Sequence, residues 1–178
     1  MLSAEEVARR AARVKMIILD NDGVMTDGKV YINTQGAEAK AYPIRDGFGV
    51  VMARQAGVKL AIITGLLTPV VQTRAGQLGI TELHKAFIDK LDCLKDILKR
   101  FDLTADEAAY MGDDLFDLPA IRYVGLGAAP ADAHPFVIEN ADWVSPFRGG
   151  EGAVRDLIEL VLKAQGRWED IVRQYAGL

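Results

Sequence analysis

Lys15-Met16-Ile17-Ile18-Leu19-Asp20-Asn21-Asp22-Gly23-Val24-Met25-Thr26-Asp27-Gly28 sets an uninterrupted apolar run directly before two carboxylates one residue apart. The run reads as a strand buried on both faces of a parallel sheet, since such strands lack polar alternation. Open sheets of that kind bind ligands beyond the carboxyl ends of their strands, which is where Asp20 and Asp22 fall. A packed interior would not take them: an unpaired buried carboxylate is costly, so the cluster needs a cation or an open site. Asp and Gly are also common turn formers, so a plain loop would explain this stretch taken alone.

A second acidic cluster lies far along the chain. Ala108-Ala109-Tyr110-Met111 reads as another short strand and runs into Gly112-Asp113-Asp114-Leu115-Phe116-Asp117. Between the two, Lys59-Leu60-Ala61-Ile62-Ile63-Thr64-Gly65 puts a hydroxyl at a third strand end, and Lys90 opens the amphipathic segment Leu91–Leu98. Each feature alone is weak. Together, each at an element boundary, they form a specific combination of carboxylates, hydroxyl and ammonium.

The rest of the chain alternates strands with helices, which implies a Rossmann-like parallel sheet with helices on both faces. Helices are expected over Phe48–Ala56, Pro69–Leu78 (Pro69 in the first turn, Gly79 as the stop) and Leu91–Phe101. Others are expected near Leu118–Tyr123, His134–Glu139 and Gly152–Ala164. Further strands are expected at Ala86–Ile88 and Trp143–Ser145. Residues 29–44 form an excursion whose Val30-Tyr31-Ile32 and Ala39–Tyr42 arms flank Asn33-Thr34-Gln35-Gly36, a β-hairpin pattern. The 178 residues suit one α/β domain, 1–178, without linker or repeat.

Composition narrows the function classes. A net charge of −4 and the lack of a basic, aromatic-interleaved stripe argue against nucleic acid. No apolar run reaches the roughly 20 residues needed to span a bilayer, and the charged start lacks a leader-like apolar core. The single Cys93 implies a reduced interior thiol. A cytoplasmic protein is the expectation.

The order Asp-x-Asp-Gly-Val-x-Thr, Thr-Gly, Lys, Gly-Asp-Asp-x-x-Asp resembles the haloacid dehalogenase superfamily of phosphatases. Within it, Asp22–Gly28, Ile44-Arg45-Asp46-Gly47-Phe48-Gly49, Ala131-Asp132-Ala133-His134-Pro135, Gly149–Arg155 and Ala164-Gln165-Gly166 resemble the 3-deoxy-D-manno-octulosonate 8-phosphate (KDO 8-phosphate) phosphatases. The resemblance runs from about Val14 to Gly166. It implies a capless fold, the short hairpin standing in place of a cap domain, and a homotetramer in which neighbouring subunits close each site. A surface hairpin on a monomer is the alternative.

The resemblance also implies roles. Asp20 would be the nucleophile, forming an aspartyl-phosphate; Asp22 would be the general acid and then base. Thr64 and Lys90 would hold the phosphoryl oxygens. A dianionic phosphate cannot approach such acids unaided, so Mg²⁺ is expected on Asp20, Asp113 and the Asp22 backbone carbonyl. Asp114 would orient Lys90 or a metal-bound water; Asp117 either assists the metal or caps the helix at Leu118. Substrate contacts fall to Asp22, Lys90, Arg45, Asp46, Gly47 and Arg74, with a surface role equally open for Arg45 and Asp46. His134 reads as a capping or packing residue, Trp143 and Trp168 as core and interface groups, and His84 has no evident partner.

The expected substrate is a small phosphorylated sugar acid, KDO 8-phosphate first, in a lipopolysaccharide pathway. Three departures bear on it: Leu66, Val51 and Glu151 stand where such phosphatases usually carry Arg. Losing charged hydrogen bonds to a sugar carboxylate, each worth roughly 1.5–3 kcal/mol, would matter; Arg148 could supply one cation back. A nonulosonate 9-phosphate or a broad set of phosphate esters is the alternative. A phosphotransferase is disfavoured by the missing cap, a binding module by the intact set of residues, and a receiver domain by the order of its acids.

Overall fold

The computed structural model describes residues 1–36 and 38–177; Ala37, inside the predicted hairpin insert, and Leu178, the end of the predicted domain, lie outside the described residues. In chain order the first half holds α1 (Ala4–Ala11), β1 (Met16–Leu19), β2 (Tyr31–Ile32), β3 (Glu38–Ala39), α2 (Ile44–Gln55), β4 (Lys59–Thr64), α3 (Pro69–Leu78) and β5 (Glu82–Lys85). The second half holds α4 (Lys90–Arg100), β6 (Ala108–Met111), α5 (Leu118–Tyr123), β7 (Leu126–Ala129), α6 (Pro135–Asn140), β8 (Trp143–Val144), α7 (Ala153–Ala164) and α8 (Trp168–Ala176).

The main sheet has the order β5-β4-β1-β6-β7-β8, and every neighbouring pair is parallel. The chain builds outward from β1 in one direction and then returns to build in the other. A crevice therefore opens beyond the carboxyl ends of β4, β1 and β6, where connections diverge. The apolar runs are continuous because the central strands are covered on both sides. Met16 and Ile18 face one core and Ile17 and Leu19 the other; Ala61 and Ile63 oppose Leu60 and Ile62 in the same way. Each fully buried Ile contributes on the order of 1.5–3 kcal/mol. α7 supplies Val154, Leu157, Ile158, Val161 and Leu162 to one core, as its spacing predicts, and α4 supplies Leu94, Ile97 and Leu98 to the other.

Local signals hold at most ends. α3 carries Pro69 in its first turn and stops on Gly79, whose φ of +65° is a left-handed conformation open to glycine. Three elements differ from expectation. The edge strand is β5, not Ala86–Ile88: Phe87 and Ile88 are exposed, while His84 bonds Glu82 (2.9 Å) and Arg100 (3.2 Å). An edge strand facing solvent tolerates polar residues, so hydrophobicity does not mark it. α2 starts at Ile44, which places Arg45, Asp46 and Gly47 inside its first turn. The hairpin arms are two residues long, Tyr31 opposite Ala39 and Ile32 opposite Glu38, so Lys40 and Tyr42 leave the ladder. His134 accepts the Phe136 N–H at 3.2 Å and caps α6, and both tryptophans pack partly buried against the core. Among the described residues no helix is long and apolar enough to cross a membrane.

Candidate active site

The strand ends bring Asp20 and Asp113 to one crevice, while Thr64 at the end of β4 and Lys90, the first residue of α4, are buried behind its lining, Lys90 against Asp20. A cleft of about 580 Å³ opens there, lined by Asp20, Asp22, Gly28, Gly65, Leu66, Phe87, Asp113, Asp114 and Phe116. Asp20 is buried, and its Oδ1 accepts the Asn21 N–H at 2.7 Å and lies 3.1 Å from Lys90 Nζ. The Thr64 hydroxyl, also buried, accepts the Leu66 N–H at 3.2 Å across the turn leaving β4.

Lys90 is buried with its ammonium against two acids and 4.4 Å from the centre of the Phe116 ring. Its closest partner is Asp117, at 2.6 Å. Asp117 Oδ1 also accepts the Tyr110 hydroxyl at 2.6 Å, and Oδ2 accepts the N–H groups of Asp113 and Asp114, each at 3.2 Å. This corrects the expected division of labour. Asp117, not Asp114, orients Lys90; Asp114 instead accepts the Leu115 N–H at 2.7 Å and caps the short turn that follows. Nothing in the sequence marks Tyr110 as part of this network, because it sits in an apolar strand.

Three carboxylates, Asp20, Asp113 and Asp117, offer oxygens within 4.8 Å of one another. Asp117 has its oxygens filled by four donors. Asp113 does not: its Oδ1 is buried and has no hydrogen-bond partner. Burial first, then the neighbouring carboxylates, push the Asp113 carboxyl up to about 7 and Asp20 well above the usual carboxylate range, with Lys90 opposing. An orphaned buried carboxylate oxygen facing another acid fits a hard cation such as Mg²⁺, which takes oxygen ligands. The chain makes room for Asp113 at Gly23, whose φ is +83° and where a Cβ would run into the Asp113 carboxylate.

The half-buried Asp22 accepts the Asn21 side-chain amide at 3.0 Å and pairs with Lys40 from the insert. The remaining predicted substrate residues stand apart from the cleft lining. Asp46 Oδ1 accepts the Arg155 N–H at 3.0 Å and holds the start of α7. Gly47 admits the Arg74 side chain, whose guanidinium lies 5.5 Å from the centre of the Tyr42 ring. Arg45 is exposed on α2. Leu66 does line the cleft; Arg148, a candidate replacement cation, pairs with Asp132 at 3.4 Å. Phe87 and Phe116, 5.0 Å apart between ring centres, form an apolar wall that the sequence reading did not include.

The profile of the haloacid dehalogenase-like hydrolases matches residues 51–157. The chain is 41% identical over 169 residues to the 3-deoxy-D-manno-octulosonate 8-phosphate phosphatase KdsC of Escherichia coli strain K12, spanning 95% of this chain and 89% of that protein. Among solved structures, the corresponding phosphatase of Yersinia pestis superposes with a TM-score of 0.91 at 41% identity, covering 93% of this chain and 89% of that one. The Moraxella catarrhalis phosphatase, solved with a magnesium ion, a phosphate ion and KDO, superposes with a TM-score of 0.94 at 35% identity, covering 96% and 98%.

Proposed function

This chain belongs to the haloacid dehalogenase-like hydrolases, and from that membership we propose that it is an Mg²⁺-dependent phosphatase cleaving KDO 8-phosphate to KDO and phosphate. The observation that carries the proposal is the gathering of Asp20, Thr64, Lys90 and Asp113 at neighbouring strand and helix ends, with one buried Asp113 oxygen left for a cation.

In the first step Asp20 attacks phosphorus, an Asp20 oxygen–phosphorus bond forms, and the bond from phosphorus to the sugar oxygen breaks. Asp22 donates its proton to the departing sugar oxygen. In the second step Asp22 takes a proton from water as that water attacks the aspartyl-phosphate, freeing phosphate and restoring Asp20. Lys90, fixed by Asp117, and the Thr64 hydroxyl hold the phosphoryl oxygens as charge develops. Asp20, Asp113 and the Asp22 carbonyl would hold Mg²⁺, which offsets the negative charge of acids and phosphate.

The whole chain acts as one domain in a cytoplasmic homotetramer, where exposed Tyr31 and Ile32 on the hairpin support packing between subunits. Arg45, exposed on α2, is then available to substrate at a subunit boundary. One observation favours a second reading: Leu66 puts an apolar side chain on the cleft wall where a sugar carboxylate would want a cation. A small phosphate ester without a carboxylate is that alternative; a nonulosonate 9-phosphate, itself a sugar acid, would meet the same apolar wall as KDO 8-phosphate.

Phosphate release from KDO 8-phosphate and a panel of sugar phosphates, with Mg²⁺ and with chelator, tests both. Metal-dependent preference for KDO 8-phosphate is expected; preference for another ester keeps the chemistry and moves the substrate, and no turnover of any ester overturns the proposal. Asp20→Asn should lower turnover by at least on the order of 10³-fold; substantial residual activity would remove Asp20 from its role.

A further inference from the structure

Lys40 is an unusual residue for a hairpin insert: its side chain has no exposed surface. Lysine is almost never fully buried unless paired, and here the ammonium sits between two carboxylates. It pairs with Asp22 Oδ1 and lies 3.3 Å from Glu38 Oε1. Glu38 in turn accepts the Thr68 hydroxyl at 3.2 Å, which ties the hairpin to the start of α3. The same insert reaches Asp22 by a second path. Tyr42 donates to Asn21 Oδ1 at 3.0 Å, and the Asn21 amide donates to Asp22 Oδ1 at 3.0 Å.

Both donors converge on one oxygen of Asp22, which fixes the plane of the carboxyl and leaves the other oxygen, Oδ2, outside these contacts. We propose that Lys40 is a positioning residue that fixes the Asp22 carboxyl so that Oδ2 serves the leaving-group oxygen. The short hairpin thereby contributes a residue to the active site of its own chain. The assignment rests on the reading of Asp22 as general acid and goes beyond it by naming what aims the acid.

General acid help matters most for a poor leaving group. An alkyl ester such as KDO 8-phosphate releases a strongly basic alkoxide, whereas p-nitrophenyl phosphate releases a stable phenolate that needs no proton. Single-turnover phosphoryl transfer with Mg²⁺ therefore separates positioning from bulk disruption. Lys40→Met should slow the alkyl ester on the order of 10- to 100-fold, less than the full contribution of general acid catalysis because the Asp22 carboxyl itself remains and is only misplaced. First-turnover phenolate release should fall by no more than about threefold, followed by a slow phase as water attack on the aspartyl-phosphate loses its base. Lys40→Arg, which keeps the charge, should recover part of the alkyl-ester rate. If Lys40→Met fails to fold, Glu38→Gln loosens the same ammonium and should show the same ester dependence in smaller measure. Equal losses on both esters, or none on either, would overturn the assignment while metal-dependent phenolate release keeps the phosphatase reading. Failure of the unaltered protein to turn over either ester would overturn both.

Discussion

Asp117 Oδ1 accepts a hydrogen bond from Lys90 Nζ at 2.6 Å, and neither side chain has exposed surface. The same ammonium lies 3.1 Å from Asp20 Oδ1, so a single buried cation joins the base of the acidic cluster to its reactive end. Removing one partner of a buried pair leaves an uncompensated charge, at a cost of roughly 3–5 kcal/mol.

Asp117→Asn should show this cost directly. An asparagine cannot accept from Lys90 and Tyr110 on one side and from the Asp113 and Asp114 N–H groups on the other, because one of its ends is a donor. Denaturant unfolding should report a loss of about 3 kcal/mol, and turnover should fall at least on the order of tenfold through loss of Lys90 orientation. An unchanged midpoint and unchanged turnover would show that Lys90 needs no such anchor.

Asp113 makes the metal-free protein sensitive to pH. Its carboxyl is pushed up to about 7 against an unperturbed value of 3.8. A group with a raised folded value stabilises fully below its unfolded value and loses that contribution as pH rises through the folded one. Chelator-treated protein should therefore lose stability between pH 4 and pH 8, by up to about 4 kcal/mol from this group. Asp20, raised by burial, acts in the same direction. Added Mg²⁺ competes with the proton, so its protection in thermal melts should be larger at pH 8 than at pH 6. Equal protection at both would mean that Asp113 does not give up a proton to the metal.

Gly23→Ala tests the space kept for that carboxylate. The substitution combines a positive φ with a Cβ directed into Asp113, which together should cost on the order of 1–3 kcal/mol. Magnesium affinity, read by titration calorimetry, should fall alongside turnover. Full affinity in the variant would separate Gly23 from the cation site.

Leu66→Arg adds a cation at the cleft wall. If the substrate is a sugar acid, one charged hydrogen bond of roughly 1.5–3 kcal/mol should raise kcat/KM for KDO 8-phosphate by on the order of 10- to 100-fold. The gain should appear mostly in KM, since the carboxylate is remote from the reacting phosphorus. No gain, or a gain on neutral sugar phosphates alike, would point to the alternative substrate.

The amino-acid sequence by itself determined the central strands, the helices between them and the reactive groups at their ends. β1, β4 and β6 are buried on both faces, so their apolar runs are unbroken, and Asp20, Thr64 and Asp113 stand out as polar residues where each run stops. Capping signals at Pro69 and Gly79 act over one turn and are equally local. The edge strand β5 was not legible, because a half-exposed strand draws its order from pairing with β4 instead of from its own hydrophobicity. Only the tertiary structure decided which acid serves which cation. Asp117 meets Lys90 across 27 residues of chain and Lys40 meets Asp22 across 18. Such pairings are selected by the three-dimensional cost of burying an unpaired charge, and that cost has no signature in local spacing.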